Sequence, residues 1–411
     1  MSMSSSAVPS FSPDAPEIHA DPYPAFGRLR ELDPLHRSDL GYWVVSRHED
    51  VRSVLMDRQG FGQGDFVENI RLFYGPDFDV MGQRAYKWLS EVFLMQDPPH
   101  HTRVRGLVTG ALNAKRVRAM EPRIRRIADD LIDAMLASGR AEFIKDFAYQ
   151  LPVRVMCDML GIDPGDPRLP KVMDAIARSF IVFEARALTE QELAEANEQI
   201  GVLQAFFEEL FADRMVNPQD DLATALVQSG GQEDALSHEE LVTVAIGLFG
   251  AGFETTAHML GNGILSFAQN RQQWAALVAD PRNRSAAAVD ETLRFESSLI
   301  ATYRTALAET QIRGETIYPG EKVLTLIGAA NRDPRLFDDP DRFDIARDAR
   351  KHLSFGGGIH FCAGAELARL EGRIAFEQLA EQMPDLEADS AAPEWRPGFL
   401  FRGLSRLPIT W

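Results

Sequence analysis

The run Phe355-Gly356-Gly357-Gly358-Ile359-His360-Phe361-Cys362-Ala363-Gly364 restricts this chain more than any other stretch. It sets one thiol at the end of a glycine-rich loop, and a helix-forming run from Glu366 to Leu379 follows at once. Glycines permit backbone conformations and close approaches that side chains block. A cysteine just ahead of a helix N-terminus meets the positive end of the helix dipole and free backbone N–H groups, both of which favour a thiolate. A thiolate shielded by backbone amides is a good axial ligand for haem iron. The competing reading is a cysteine packed in a glycine-rich turn, because free cysteine usually behaves as a small hydrophobe.

A second constellation lies upstream. Ser237-x-x-Glu240 is a capping box that opens the longest helical run, Leu236 to Ala268. Leu241 to Phe253 is almost all apolar, which predicts a helix buried on every side, yet it is too short to span a bilayer. Each interior glycine costs about 1 kcal/mol relative to alanine. Gly247, Gly250 and Gly252 therefore need a reason: close approach of a flat ligand, or tight helix packing. Glu254 and Thr255 follow in the same helix, where burial is costly unless they find partners. Glu291-x-x-Arg294 places opposite charges on one helical face. Exposed, such a pair contributes only about 0.2–0.5 kcal/mol.

Composition narrows the function classes. A net charge of −18 argues against nucleic acid and against an anionic membrane surface as partners. The two cysteines, Cys157 and Cys362, imply no disulfide framework and suit a reducing cytoplasm. Cys157 sits in an apolar run and reads as packing. Length alone suggests two or three domains for 411 residues. The Ser- and Pro-rich start lacks the features of a signal peptide, and residues 1–20 read as a flexible lead.

Between these landmarks helix dominates. Helices are expected at Ala25–Asp33, His48–Met56, through most of Arg103–Gly230, and at Arg284–Phe295. Strands are expected at Leu35–Ser38, Tyr42–Ser46, Thr302–Ala306, Thr310–Ile317 and Lys322–Leu326. Phe61–Gln96 reads as a long, aromatic, irregular connection of the kind that forms lids. Asp333–Arg350 reads as a meander and Phe399–Ile409 as a hairpin. The class is mainly α with small β-sheets.

In their order and offsets these motifs resemble the cytochromes P-450, from Asp21 to Ile409. The resemblance implies a single domain, 21–411, with haem b held between the long central helix and the helix after the cysteine loop. Phe355, Gly356, Gly358, His360, Cys362 and Gly364 match the haem-ligand signature, with Cys362 as the metal ligand. Ala251, Gly252, Glu254 and Thr255 match the oxygen-binding groove, with Glu254 and Thr255 as the proton-delivering acid–alcohol pair. Glu254 stands where many relatives carry Asp. His101 and Arg105 lie at the family's offsets in Asp97–Arg105 and, with Arg304 and His360, would hold the haem propionates. Glu291 and Arg294 resemble two members of a buried structural network, completed by Arg342 or, alternatively, Arg347. Substrate contacts by family position are Gly247, Leu299, Ile300, Phe399 and Leu400. Gly247 and Ala251 share a helical face, which implies room for a bulky or extended apolar substrate.

The expected activity is a monooxygenase inserting one oxygen atom of O2 into an apolar organic molecule, by hydroxylation or epoxidation. Arg103–Arg126 carries eight basic residues against one acid, Glu121, a local net of +7. A solvated helix face is the plain reading. In the family this helix lies on the electron-receiving face, so the resemblance implies docking of an acidic [2Fe–2S] ferredoxin. Two other readings fit a haem-thiolate site: a peroxygenase or isomerase, and a non-catalytic haem protein. The Glu254–Thr255 pair counts against the first, and the basic patch against the second.

Overall fold

The computed structural model describes residues 11–13, 15–184, 186–229, 234–391 and 393–411. The capping box forms as expected: Ser237 accepts the Glu240 N–H, and the Glu240 carboxylate accepts the Ser237 N–H. It starts a 32-residue helix, His238–Gln269, that crosses the interior. Around it pack Glu190–Val216, Gln150–Leu160, Leu169–Ser179, Pro281–Phe295 and Ala365–Gln382. Their buried faces form one large apolar cluster, with Phe143, Phe207, Phe249, Phe253 and Phe267 near its centre. The central helix owes its place to this burial, since an apolar surface on all sides gains from removal of water whichever neighbour covers it.

Strands are few and short. Five form one sheet in the order Leu35–Arg37, Trp43–Val45, Lys322–Thr325, Thr302–Ala306, Phe61–Gly62. Trp43–Val45 runs parallel to Lys322–Thr325, and the other pairs are antiparallel. The sheet covers a second core containing Phe26, Val44, Ile300, Leu324 and Phe399.

Four segments differ from expectation, the first being Thr310–Ile317, expected as one strand, which is two antiparallel strands, Thr310–Ile312 and Glu315–Ile317, joined by a turn. Phe61–Gln96 is not irregular throughout: it contains the helices Phe66–Tyr74 and Arg84–Glu91, whose aromatic residues mask the helical period. Phe399–Ile409 is not a hairpin. Leu404–Arg406 pairs with Glu394–Trp395, whereas Pro408–Thr410 pairs with Arg140–Glu142 and Glu387–Ala388. In the expected flexible lead, residues 1–10 and 14 lie outside the described residues. Pro16–Ala20 is a helix, and Phe11 and Ile18 are buried in the second core.

Candidate active site

One cavity of about 400 Å³ lies between the central helix and the cysteine loop. Its floor is the loop. The Cys362 N–H donates to the Phe355 carbonyl at 2.9 Å, which closes the turn, and Gly364 caps the helix Ala365–Gln382. Gly356 and Gly358 have φ of 70° and 62°, a region that L side chains rarely adopt. At Gly358 a Cβ would also lie 2.5 Å from the Leu55 carbonyl oxygen.

The Cys362 thiol is accessible from the cavity but sits deep in the protein. Burial pushes it up, while the Gly364 N–H and the Arg105 and Arg369 guanidiniums pull it down. The net direction is up, so the helix-terminus effect expected from sequence loses to desolvation. A metal cation on the sulfur reverses that balance, because a coordinating thiol is deprotonated outright. Cys157 lines nothing: it is fully buried in the core, and burial pushes its thiol up to about 12.

Four basic side chains gather beside the floor. His101 and Arg105 come from the helix His100–Ala111, Arg304 from the sheet, and His360 from the loop. The two imidazole rings lie 4.4 Å apart. Both are buried, and none of their four ring nitrogens has a hydrogen-bond partner. Burial and the neighbouring cations push His360 down to about 3, and burial pushes Arg304 down to about 10. Unpartnered buried donors next to unbalanced cations are costly. Two carboxylates at this place remove both costs, so the residues fit the propionates of haem.

The roof is the central helix. Ala251 is exposed to the cavity, and the Thr255 hydroxyl donates to the Ala251 carbonyl at 2.9 Å. Glu254 does not touch Thr255. Its carboxylate turns to the Arg396 guanidinium at 2.6 Å, in a group that includes Tyr149 and His258. Burial pushes the Glu254 carboxyl up, against the pull of Arg396. The glycines divide between two causes. A Cβ at Gly250 would lie 2.2 Å from Phe180, and one at Gly252 would lie 2.6 Å from the Met156 sulfur. Side-chain packing therefore explains both, although Gly252 also borders the cavity. At Gly247 the nearest atom to a Cβ is Val92, at 3.7 Å. That position is open.

The remaining wall is apolar: Phe66, Ile70, Val92, Phe93, Leu299, Leu400 and Phe401, among others. Ile300 and Phe399, expected as substrate contacts, point instead into the second core, where Phe399 meets Phe11 at 6.0 Å. Leu299 bridges Phe401 and the Ile300 N–H donates to the Leu400 carbonyl, so Ile300 alternates away from Leu299 and Ala301, which line the cavity, while Phe399 packs in the second core that Leu400 also joins.

The charged network behind the loop also needs one correction. Glu291 and Arg294 are completely buried and paired through two hydrogen bonds, at 2.7 and 2.8 Å. The third member is Arg347, 3.5 Å from Glu291. Arg342 is exposed and pairs with Asp339 and Asp344, and only its carbonyl reaches Arg294. Two cavity residues, Glu371 and Lys322, and one behind the roof, Arg396, escaped the sequence reading. Glu371 is fully buried with neither carboxyl oxygen partnered, and burial pushes its carboxyl well above the usual carboxylate range. Lys322 lines the cavity from the sheet. Arg396 holds Glu254. Only a Lys opening an apolar strand was visible in advance.

Among the described residues there is no cluster of three or more His, Cys, Asp or Glu able to hold a metal, and no helix long and apolar enough to cross a membrane.

The family model for Cytochrome P450 matches residues 43–280 and 285–382. Cytochrome P450 107B1 of Saccharopolyspora erythraea is 37% identical over 409 residues, covering 95% of both chains. Mycinamicin IV hydroxylase/epoxidase of Micromonospora griseorubida is 37% identical, covering 94% of both. Among solved structures, P450BioI in complex with an acyl carrier protein ligated to hexadec-9Z-enoic acid superposes with a TM-score of 0.88 at 32% identity, covering 96% of this chain and 99% of that one. The chain belongs to the cytochrome P450 family and is a bacterial-type haem-b monooxygenase.

Proposed function

We propose that this monooxygenase hydroxylates or epoxidises a bulky or extended apolar molecule, with electrons from an acidic [2Fe–2S] ferredoxin. We propose further that residues 21–411 act as one cytoplasmic domain. The observation that carries the site reading is the Cys362 thiol at the floor of an apolar cavity, flanked by four basic side chains, of which His101 and His360 have no partner for any ring nitrogen. Cys362 Sγ would ligate the iron, and His101, Arg105, Arg304 and His360 would hold the two propionates. Haem, when bound, supplies the activation of dioxygen for insertion of one oxygen atom into a substrate C–H or C=C bond.

The chain's own residues then have three tasks. Phe66, Val92, Leu299 and Leu400 exclude water and seat the substrate by burial of apolar surface. Thr255 holds a hydroxyl at the roof, where it donates a hydrogen bond once it leaves the Ala251 carbonyl. Glu254 supplies protons by exchanging between Arg396 and the groove. Arg396 is about one quarter exposed and so connects that carboxyl with solvent.

The proposed docking patch rests on the basic residues that are left without a counter-charge. Of the eight basic residues, Arg103, Arg123 and Arg125 are ion-paired with Glu240, Asp158 and Glu121/Glu377, and Arg105 turns to the cysteine loop. Lys115, Arg116, Arg118 and Arg126 have no ion pair among the described residues. Their free charge would steer an acidic carrier. Reversing Arg116 and Arg118 to Glu should slow ferredoxin-driven turnover and spare peroxide-driven turnover; equal loss in both assays removes the docking assignment.

The test of the whole reading is the carbon monoxide difference spectrum of the dithionite-reduced protein. The expected result is a strongly red-shifted Soret band that Cys362→Ala abolishes. A band at the position of histidine-ligated haem, or no haem at all, overturns it.

A further inference from the structure

Lys322 is the one basic side chain of the cavity wall that lies apart from both the propionate cluster and the central helix's ion pairs. It opens the strand Lys322–Thr325 and is more than nine-tenths buried. Its ammonium donates to the Thr305 hydroxyl. Thr305 in turn donates to the Gln63 carbonyl at 2.7 Å, and the Asn69 side-chain amide donates to the same oxygen at 2.7 Å. Lys322, Thr305, Gln63 and Asn69 all line the cavity, so they form a connected polar ledge in an otherwise apolar wall. Around it stand Phe66, Ile70 and Phe73, from the same helix as Asn69.

An ammonium has three donors, and Thr305 takes one. No carboxylate lies within ion-pair distance of Lys322 among the described residues; Asp65 and Asp97 act on it only at longer range. A buried cation with spare donors and no counter-ion is costly, and burial pushes this one down to about 7. Lys322 is cross-strand partner to Thr305 and Arg304 to Val323, so the two cations leave the sheet in opposite directions although both border the cavity. The cations that act on His360 are Arg304, His101 and Arg105, and Lys322 is not among them.

We propose that Lys322 is a specificity-determining anchor for a carboxylate on the substrate, so that the preferred substrate class is an extended apolar molecule bearing one carboxylate. The carboxylate accepts from the Lys322 ammonium, and the apolar remainder fills the wall between Phe66 and Leu299. The assignment rests on the monooxygenase reading of the cavity and adds the chemical class of its substrate.

Equilibrium binding to the haem-loaded protein tests it, with laurate, methyl laurate and lauramide compared by calorimetry and by the Soret spin-state shift. A charge-assisted hydrogen bond in a buried site corresponds to about tenfold or more in affinity. Laurate should therefore bind about tenfold or more tighter than the ester or the amide. Lys322→Met should remove that preference by weakening laurate alone, and Lys322→Arg should keep it. Equal affinities for acid and ester in the unaltered protein overturn the proposal without recourse to any variant. Equal weakening of acid and ester in Lys322→Met also overturns it. Faster haem loss from Lys322→Met with the laurate preference intact would assign the ammonium to a haem carboxylate, which overturns it too. Calorimetry reads the preference even if the carbon monoxide band refutes thiolate ligation, so the two failures are distinguishable.

Discussion

The floor and the roof of the cavity are built by opposite means. The floor is held by backbone hydrogen bonds, positive-φ glycines and a buried ion pair, Glu291–Arg294, that anchors the chain behind the loop. The roof is held by apolar burial of a single long helix, with polar groups at Glu254, Thr255, Thr256 and His258 near the cavity and a few more buried along its length, Thr243, Asn262 and Ser266. The floor fixes one atom, the Cys362 sulfur, in one place. The roof is a surface whose shape depends on which neighbours fill the space. Directional bonds tolerate few residue types, whereas packing tolerates many that share a volume.

The largest expected effect breaks the floor. Glu291→Gln leaves Arg294 and Arg347 buried without a compensating charge, and loss of one partner of such a pair costs about 3–5 kcal/mol. Arg342→Ala, on an exposed residue, should stay within about 0.5 kcal/mol. Urea unfolding of the two variants checks this. A comparable loss in Arg342→Ala would restore it to the network and refute the place given to Arg347.

This contrast also explains what was legible in the sequence. Cys362, Glu291, Arg294, His101, Arg105, Arg304 and His360 could be found because their chemistry demands those residue types at set offsets. Arg342 and Arg347 lie in a meander with neither helical nor strand period, so nothing local indicated which one turns inward. Ile300 and Phe399 failed for other reasons. Ile300 lies between Leu299 and Ala301, which line the cavity, and in extended chain a one-residue shift exchanges the two faces, whereas Phe399 is held by Phe11, a contact that only the fold brings together. The supposed hairpin at Phe399–Ile409 failed because Leu404–Arg406 pairs back with Glu394–Trp395, upstream of the expected start, and Pro408–Thr410 pairs with Arg140–Glu142, far away in the chain. Arg396 carried no signal and Lys322 showed only as a lysine opening an apolar strand, since a basic residue gains meaning only from the cavity or the carboxylate beside it.

The next effect tests whether polar groups in the roof are a liability. His258 is buried, both ring nitrogens lack partners, and burial together with the Arg396 charge pushes it down to about 3. An unfolded histidine titrates near 6.5, so between those values the unfolded chain binds the extra proton. Stability is then fully present above about pH 6.5 and is lost as pH falls toward 3. At 1.36 kcal/mol per unit, the loss between pH 6.5 and 5 is about 2 kcal/mol. Glu254 acts in the other direction, because burial pushes its carboxyl up and that contribution fades as pH rises. Comparing the parent with His258→Leu across this range isolates the histidine. An unchanged acid slope in the variant would show that the imidazole finds a proton acceptor in the folded protein.

The smallest effect separates the two reasons for glycine within the roof itself. Gly250→Ala adds a methyl group where Phe180 already stands, and overpacking of a filled core costs about 1–3 kcal/mol. Alanine recovers about 1 kcal/mol of helix propensity, so the net loss should be near 1 kcal/mol. Gly247→Ala meets only Val92, at ordinary contact distance, and should gain about 0.5–1 kcal/mol instead. The opposite signs, read as Tm shifts on one helix three residues apart, would mean that Gly250 serves packing while Gly247 leaves space for substrate. Gly247→Phe extends the test: it should exclude bulky ligands from the Soret shift assay before small ones, since its ring would occupy the open wall beside Val92. If both alanine variants stabilise, Phe180 yields easily and the roof is softer than its packing suggests. If both destabilise, the space at Gly247 is needed by the fold rather than by the substrate.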